Sequence, residues 1–311
     1  MTKKLRTNHR SGRLLFTGFS MGFADLIPGV SSGTIAFLYG IYQELLYSIR
    51  VMTGIVPKLI LTGNFAQAWK LIPFGFLIPL GTGMVLAVFG MVQVVSYLLD
   101  SQAIFTWSVF FGLVLGSAFV IRKRIEKWNA RRAALLAVGF VLTLFTVNLP
   151  QIETASSPLI ALGTGAIASV AMILPGISGS LIMVLLGQYQ HIIDAVSSFD
   201  VFTLGLFALG IALGLAAFAR LLSWLMHRHH SAVIATLIGI MLGSLSAIWP
   251  WQSTTGTLIA PEINWLLIIA VLLMVVGFLI VLALERAGIT KDHVSDVDSK
   301  EFKREVKTQH D

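Results

Sequence analysis

The chain has no cysteine among its 311 residues, which excludes disulfides, thiolate nucleophiles and cysteine-ligated zinc. Charge is scarce as well. Asp, Glu, Lys and Arg together make up 12% of the chain, about half the share in an ordinary soluble domain. No Gly-x-x-x-x-Gly-Lys-Ser/Thr run exists, so the chain carries no P-loop for ATP. No His-Glu-x-x-His pair exists to hold a catalytic zinc. No cofactor and no metal site is expected.

What the chain has in excess is apolar sequence: 56% of residues are hydrophobic, with a mean hydropathy of +0.85. The excess recurs in segments near 14–27, 30–49, 71–99, 103–121, 132–149, 158–174, 177–194, 203–226, 232–250 and 264–284. Most have the ~20 residues that cross hydrocarbon. A polytopic, all-α membrane protein is the fold class this implies. The formal net charge of +7 would fit nucleic acid, but the basic residues sit between and beyond the apolar spans, where membrane orientation explains them. The basic N-terminus followed by an apolar run imitates a signal peptide. Asp25 interrupts that run and no small-x-small site follows, so the segment is expected to be retained.

Lys and Arg are also absent from alternate loops. The loops near 100–102, 150–157, 195–202 and 251–263 contain Asp100, Glu153, Asp200 and Glu262 but no basic residue. Every Lys and Arg except Arg220 lies in or within a few residues of 1–13, 50–70, 122–131, 227–231 or 285–311. The positive-inside rule then puts both termini in the cytoplasm.

The chain repeats itself. Residues 24–46, ADLIPGVSSGTIAFLYGIYQELL, align without a gap to 171–193, AMILPGISGSLIMVLLGQYQHII, at an offset of 147, with nine of 23 positions identical. Ser96, Gly112, Leu115, Gly116 and Ser117 then meet Ser223, Gly239, Leu242, Gly243 and Ser244 at an offset of 127. The shortfall of 20 residues is an insertion in the first half, within about 50–75. Gly139-Phe140 and Gly277-Phe278 mark the last span of each half. The reading divides the chain into a basic cytoplasmic N-terminus (1–13), a first membrane repeat (14–149), a second (150–284) and a polar cytoplasmic tail (285–311). Each repeat holds a Pro-Gly-broken helix pair, re-entrant or discontinuous, plus three transmembrane helices. An odd number of spans per half inverts the second half relative to the first, the architecture of secondary transporters that alternate access by rocking.

Each repeat's Pro-Gly-x-Ser stops a helix, because Pro lacks a donor and Gly admits positive φ. A new helix is expected to begin at Val30 or Ser31, and at Ile177 or Ser178, with Ser as N-cap. Its first-turn amides, around Ser31, Ser32, Gly33 and Thr34 and around Ser178, Gly179, Ser180 and Leu181, are expected to be free and to attract an anion, phosphate above all. A dianion would want a cation too, and Arg50 and Arg220 are the candidates. Asp25 and Glu44 flank the first element and are replaced in the repeat by Met172 and His191, so the fold does not demand them. They are candidates to carry H+ or Na+. Tyr42 and Tyr189 read first as interfacial anchors. Gly112-x-x-x-Gly116 and Gly239-x-x-x-Gly243 read as close helix packing.

The paired motifs ADLIPGVSSGTIAFLYGIYQELL and ILPGISGSLIMVLLGQY resemble the bacterial inner-membrane polyprenyl-phosphate transporter family over roughly 14–284. The resemblance implies a transporter, not an enzyme, that returns undecaprenyl phosphate from the outer to the inner leaflet for reuse in envelope glycan synthesis. It implies a substrate site at Asp25, Pro28, Gly29, Ser31, Ser32, Gly33, Pro175, Gly176, Ser178, Gly179 and Ser180. The partners are then an anionic polyprenyl lipid and the membrane, with no nucleic acid, a coupled ion as an option, and a homo-oligomer left open. A small-anion transporter or channel is the alternative. A membrane lipid-phosphate phosphatase ranks below it, because the clustered histidines His227, His229 and His230 lie far in sequence from both breaks.

Overall fold

The computed structural model describes residues 11–26, 31–150, 157–252 and 258–286. Among them no strand is present, only an isolated bridge between Gln252 and Leu258. The first half opens with α1 (Ser11–Asp25), α2 (Ser32–Leu38) and α3 (Tyr42–Arg50). A five-residue π-helical turn, Val51–Ile55, then leads to α4 (Val56–Leu61) and α5 (Phe65–Leu71). These fill the insertion that the repeat offset located. Long helices follow: α6 (Phe74–Ser101), α7 (Ala103–Ile121) and α8 (Ala130–Val147). The second half runs α9 (Pro158–Ile173), α10 (Gly179–Leu185), α11 (Tyr189–Ser197), α12 (Val201–Ser244) and α13 (Trp265–Arg286).

Helices α6, α7, α8, α12 and α13 are long and apolar enough to cross a membrane. At 1.5 Å per residue α12 would reach about 66 Å, twice a bilayer's hydrocarbon. It is broken at His229, whose φ of −137° and ψ of 43° are not helical, inside the polar run His227-Arg228-His229-His230. The two expected spans 203–226 and 232–250 are therefore the two arms of α12. By contrast α2 and α10 have seven residues each, about 10 Å, and neither crosses alone. The polytopic helical class holds. Large apolar side chains such as Phe89, Phe145 and Ile268 stand exposed on α6, α8 and α13, as a lipid-facing surface requires.

Helix ends follow local chemistry. The Asn129 side chain accepts from the Arg132 amide at 2.9 Å to start α8, and Pro158 sits in the first turn of α9. Asp200 accepts from the Thr203 amide at 3.1 Å to start α12. Hydrogen bonding to Thr203 holds the exposed Asp200 carboxyl below the usual carboxylate range.

The long helices pair through glycines, and each pairing recurs at the repeat offsets. A Cβ on Gly18 would stand 2.0 Å from the Leu80 carbonyl oxygen; one on Gly165 would stand 2.3 Å from that of Phe207. The reciprocal contacts are Gly83 to the Leu15 oxygen, 2.1 Å, and Gly210 to the Leu162 oxygen, 2.0 Å. So α1 lies on α6 as α9 lies on the first arm of α12. The third spans cross between halves. A Cβ on Gly112 of α7 would stand 2.0 Å from the Met274 oxygen of α13, and one on Gly239 of α12 would stand 2.1 Å from the Leu136 oxygen of α8. Blocks 14–149 and 150–284 thus interlock, each lending its last span to the other. The core between them gathers Phe37, Ile41, Tyr42, Phe76, Ile234 and Met241.

Candidate functional site

The first break ends α1 at Asp25 and restarts the chain at Ser31; Pro28 and Gly29 lie outside the described residues. Ser31 is the N-cap of α2, as its extended backbone (φ −115°, ψ 134°) allows. The first-turn amides, expected to be free, are taken. The Gly33 amide donates to Ser31 Oγ at 3.1 Å and the Thr34 amide to the Ser31 carbonyl at 2.9 Å. The Ser32 amide donates to Asp25 Oδ1 at 2.8 Å. The carboxylate occupies the place on the helix N-terminus where an external anion would bind. One group is left over: Thr34 Oγ1 is buried and has no partner among the described residues.

The far end of α2 is held by opposite charge. Arg13 donates to the Tyr39 carbonyl at 3.4 Å, and Arg124 donates to the Phe37 carbonyl at 3.3 Å with its guanidinium 5.1 Å from the Phe37 ring centre. Carboxylate at the N-terminus and guanidinium at the C-terminus both complement the helix dipole. Neither arginine was a sequence candidate, since both lie among loop-end charges that membrane orientation already explains. Helix α2 stops at Gly40, with φ of 73°, and α10 at Gly187, with φ of 65°. These second breaks also escaped the sequence reading, although Gly at the end of an apolar run is a helix-stop signal.

At the second break Ser178 has the same extended backbone as Ser31 (φ −94°, ψ 137°) with fewer attachments. Gly176 turns at φ of 93° after Pro175, close enough to α12 that a Cβ would stand 2.9 Å from the Met241 Cα. Ser178 precedes α10 but makes no side-chain cap bond; its hydroxyl pairs with that of Ser180 at 2.7 Å. Gly179 packs on α9, with Met172 Cγ 2.6 Å from where its Cβ would be. The positions equivalent to Asp25, Arg13 and Arg124 are Met172, Ile160 and Trp251, none of them charged.

The two breaks meet. Ser31 Oγ donates to the Leu174 carbonyl at 3.2 Å, and Tyr42 donates to the Ile173 carbonyl at 2.9 Å. Tyr42 is 2% exposed, a buried strut rather than an interfacial anchor. The seam joins Ser31, Gly33 and Tyr42 of the first half to the Met172–Leu174 backbone of the second, while Ser178 and Ser180 pair with each other rather than across it. Arg50 and Arg220 are not in it. Arg50 ends α3, about 12 Å of helix from Tyr42, and donates to Ser223 Oγ at 2.8 Å. The Arg220 guanidinium lies over Gly54 of the π-helical turn, 2.9 Å from where a Cβ would stand. They form a second polar cluster between α3 and α12. Glu44 is half-buried in the first turn of α3, and its repeat mate His191 has a buried Nε2 with no partner among the described residues.

Residues 29–33 also spell Gly-x-Ser-x-Gly, the spacing of a hydrolase nucleophile elbow. The geometry is different: a helix, not a strand, precedes the turn, and Ser31 Oγ is engaged with carbonyls rather than a histidine.

The family described as undecaprenyl phosphate translocase-like matches residues 21–265. A Vibrio cholerae protein named polyprenyl-phosphate transporter is 39% identical over 237 residues, covering 76% of this chain and 77% of the relative. A Staphylococcus aureus protein of the same name is 28% identical over 292 residues, covering 88% of this chain and 95% of the relative. No solved structure matches the chain.

Proposed function

The chain belongs to the undecaprenyl phosphate translocase-like family, and we propose that it carries undecaprenyl phosphate from the outer to the inner leaflet of the bacterial inner membrane. The observation that carries this reading is the seam. In a chain with few charged residues, the hydroxyls of Ser31 and Tyr42 reach the carbonyls just before Pro175. A buried polar seam at the junction of two broken helices is the kind of path a headgroup needs, while the polyprenyl tail stays in lipid.

The phosphate would settle against Thr34 and the Ser178–Ser180 hydroxyl pair. Approach to the Ser32 amide requires Asp25 to move or to take up a proton, which links the headgroup to a coupling ion. The magnitudes suit a reversible cycle. The Asp25–Ser32 bond contributes ~1.5–3 kcal/mol, close to the ~2.5–3.5 kcal/mol that a carboxylate at this depth costs. Arg50 and Arg220 then form a second station toward the cytoplasmic side. In this scheme the repeats are inverted, both termini are cytoplasmic, and the halves rock about the seam.

The test is reconstitution in vesicles with labelled undecaprenyl phosphate, following its exposure on the outer leaflet. Protein-dependent loss of exposure is expected, and its absence overturns the reading; release of inorganic phosphate would instead reveal a phosphatase. Asp25→Leu is expected to abolish transport while changing stability by less than ~1 kcal/mol, because its lost bond and its relieved burial nearly cancel.

A further inference from the structure

Transposed by the repeat offsets, two of the bonds that dock the first broken element on the second half have positional counterparts that are not formed. Tyr42 bonds the Ile173 carbonyl at 2.9 Å; the counterpart is Tyr189 with the Leu26 carbonyl, at the offset of 147. Tyr189 is instead 40% exposed, against 2% for Tyr42. Arg50 bonds Ser223 across α3 and α12 at 2.8 Å; the counterpart pair is Ser197 with Ser96. Ser197 donates to Ile193 in its own helix at 2.9 Å, and Ser96 to Asp100 in its own helix at 3.4 Å. Helix α3 packs along α12, whereas α11 has no comparable packing on α6. The halves agree in their paired glycine contacts and differ in how the broken elements dock.

We infer that Tyr42 and Tyr189 are alternate latches, positioning residues that hold the two end states of the carrier. In the state described, the first element is docked and the second released. In the other, Tyr189 takes the Leu26 carbonyl, α11 closes on α6, and Tyr42 lets go of Ile173. The carbonyls explain why hydroxyls do this. Ile173 ends α9 two residues before Pro175 and its carbonyl has no helical partner, because the Ile177 amide donates to Leu174 instead. Leu26 occupies the same place before Pro28. Within hydrocarbon such a carbonyl needs a donor, and the two tyrosines supply one to each side in turn. One bond of the same kind exists in either state, so the exchange is balanced. Arg50, which has only Ser197 as its counterpart, tilts the balance toward the state described. Which leaflet each state faces rests on the topology and function proposed above; the exchange itself does not.

The chain's lack of cysteine makes the test clean. Two double variants, Arg50→Cys with Ser223→Cys and Ser96→Cys with Ser197→Cys, are reconstituted in vesicles and treated with a short bifunctional thiol crosslinker. The second pair, which keeps Arg50, should crosslink in a minority of molecules, and the first, which removes that bias, more often than the second. Adding Tyr42→Phe should raise the yield of the second pair severalfold, and adding Tyr189→Phe should lower it. A merely structural tyrosine would not move the two yields in opposite directions. Yields that stay fixed, or move the same way in both backgrounds, overturn the inference. The readout contains no substrate, so it separates from the functional reading. Fixed yields with undecaprenyl phosphate still moved by the unsubstituted chain sink the latches alone, and exchanging yields with no movement of that lipid by the unsubstituted chain sink the transport reading alone.

Discussion

Around Ser31, α2 is held at both ends by charge: Asp25 on its N-terminal amide, Arg13 and Arg124 on its last carbonyls. Around Ser178, α10 has none of these, its serine makes no cap bond, and its neighbouring tyrosine is exposed. The two elements share Pro-Gly-x-Ser and Gly-x-Tyr-Gln in register. The motif therefore specifies a broken helix, and the residues around it specify how firmly the broken helix docks. A duplicated site that has diverged in this way has one fixed partner and one released partner.

That contrast can be broken or sharpened by paired substitutions. The largest effects should fall where the halves agree. Gly83→Val and Gly210→Val each push a side chain into a facing carbonyl about 2 Å away. Each should destabilise by about 3 kcal/mol or more, read as equal losses of thermal stability in detergent. Unequal losses would show that the glycine seams too have diverged. The next effect should be one-sided. Tyr42→Phe leaves the buried Ile173 carbonyl unsatisfied and should cost ~1–3 kcal/mol, whereas Tyr189→Phe should stay within ~0.5 kcal/mol. Denaturation midpoints of the two variants measure the difference. Smaller again, Ser31→Ala removes a working cap and should cost ~0.5–2 kcal/mol. Ser178→Ala removes no cap bond and should cost less, which the same midpoints check.

The smallest effect concerns Asp200 at the start of α12. Its carboxyl is held below the usual range in the folded protein by Thr203. The folded state therefore binds that proton less readily than the unfolded state. The stabilisation is present above the ordinary carboxyl range and is lost as pH falls through the lowered value. Asp200→Asn should flatten this part of a stability-against-pH curve and leave neutral pH nearly unchanged.

Much of the architecture was legible in one dimension. Ten apolar segments became the long helices and the broken pairs, because spanning length and hydropathy are properties of local sequence. Ser31 and Ser178 were read as the residues before new helices for the same reason. The state of the first-turn amides was not legible. Asp25 reaches the Ser32 amide by folding back across seven residues, which depends on the path of the turn. Gly40 and Gly187 were seen as repeat identities but not as helix stops, since each is followed by residues that resume a helix at once. Arg50 and Arg220 were grouped with the breaks on charge alone; Arg50 lies about 12 Å along α3 from Tyr42, and Arg220 of α12 lies over the π-helical turn at Gly54.

The sequence by itself determined a membrane-embedded helical chain, duplicated, with two Pro-Gly-x-Ser breaks and charge confined to alternate loops. Those features follow from hydrocarbon thickness, from the missing donor of proline and from the cost of burying charge, which act residue by residue. Only the tertiary structure decided that the third spans cross between halves, that Tyr42 and Ser31 close on the carbonyls before Pro175, and that Tyr189 does not close on its own. Identical local motifs cannot carry that distinction, because docking depends on which distant surface each broken helix is brought against.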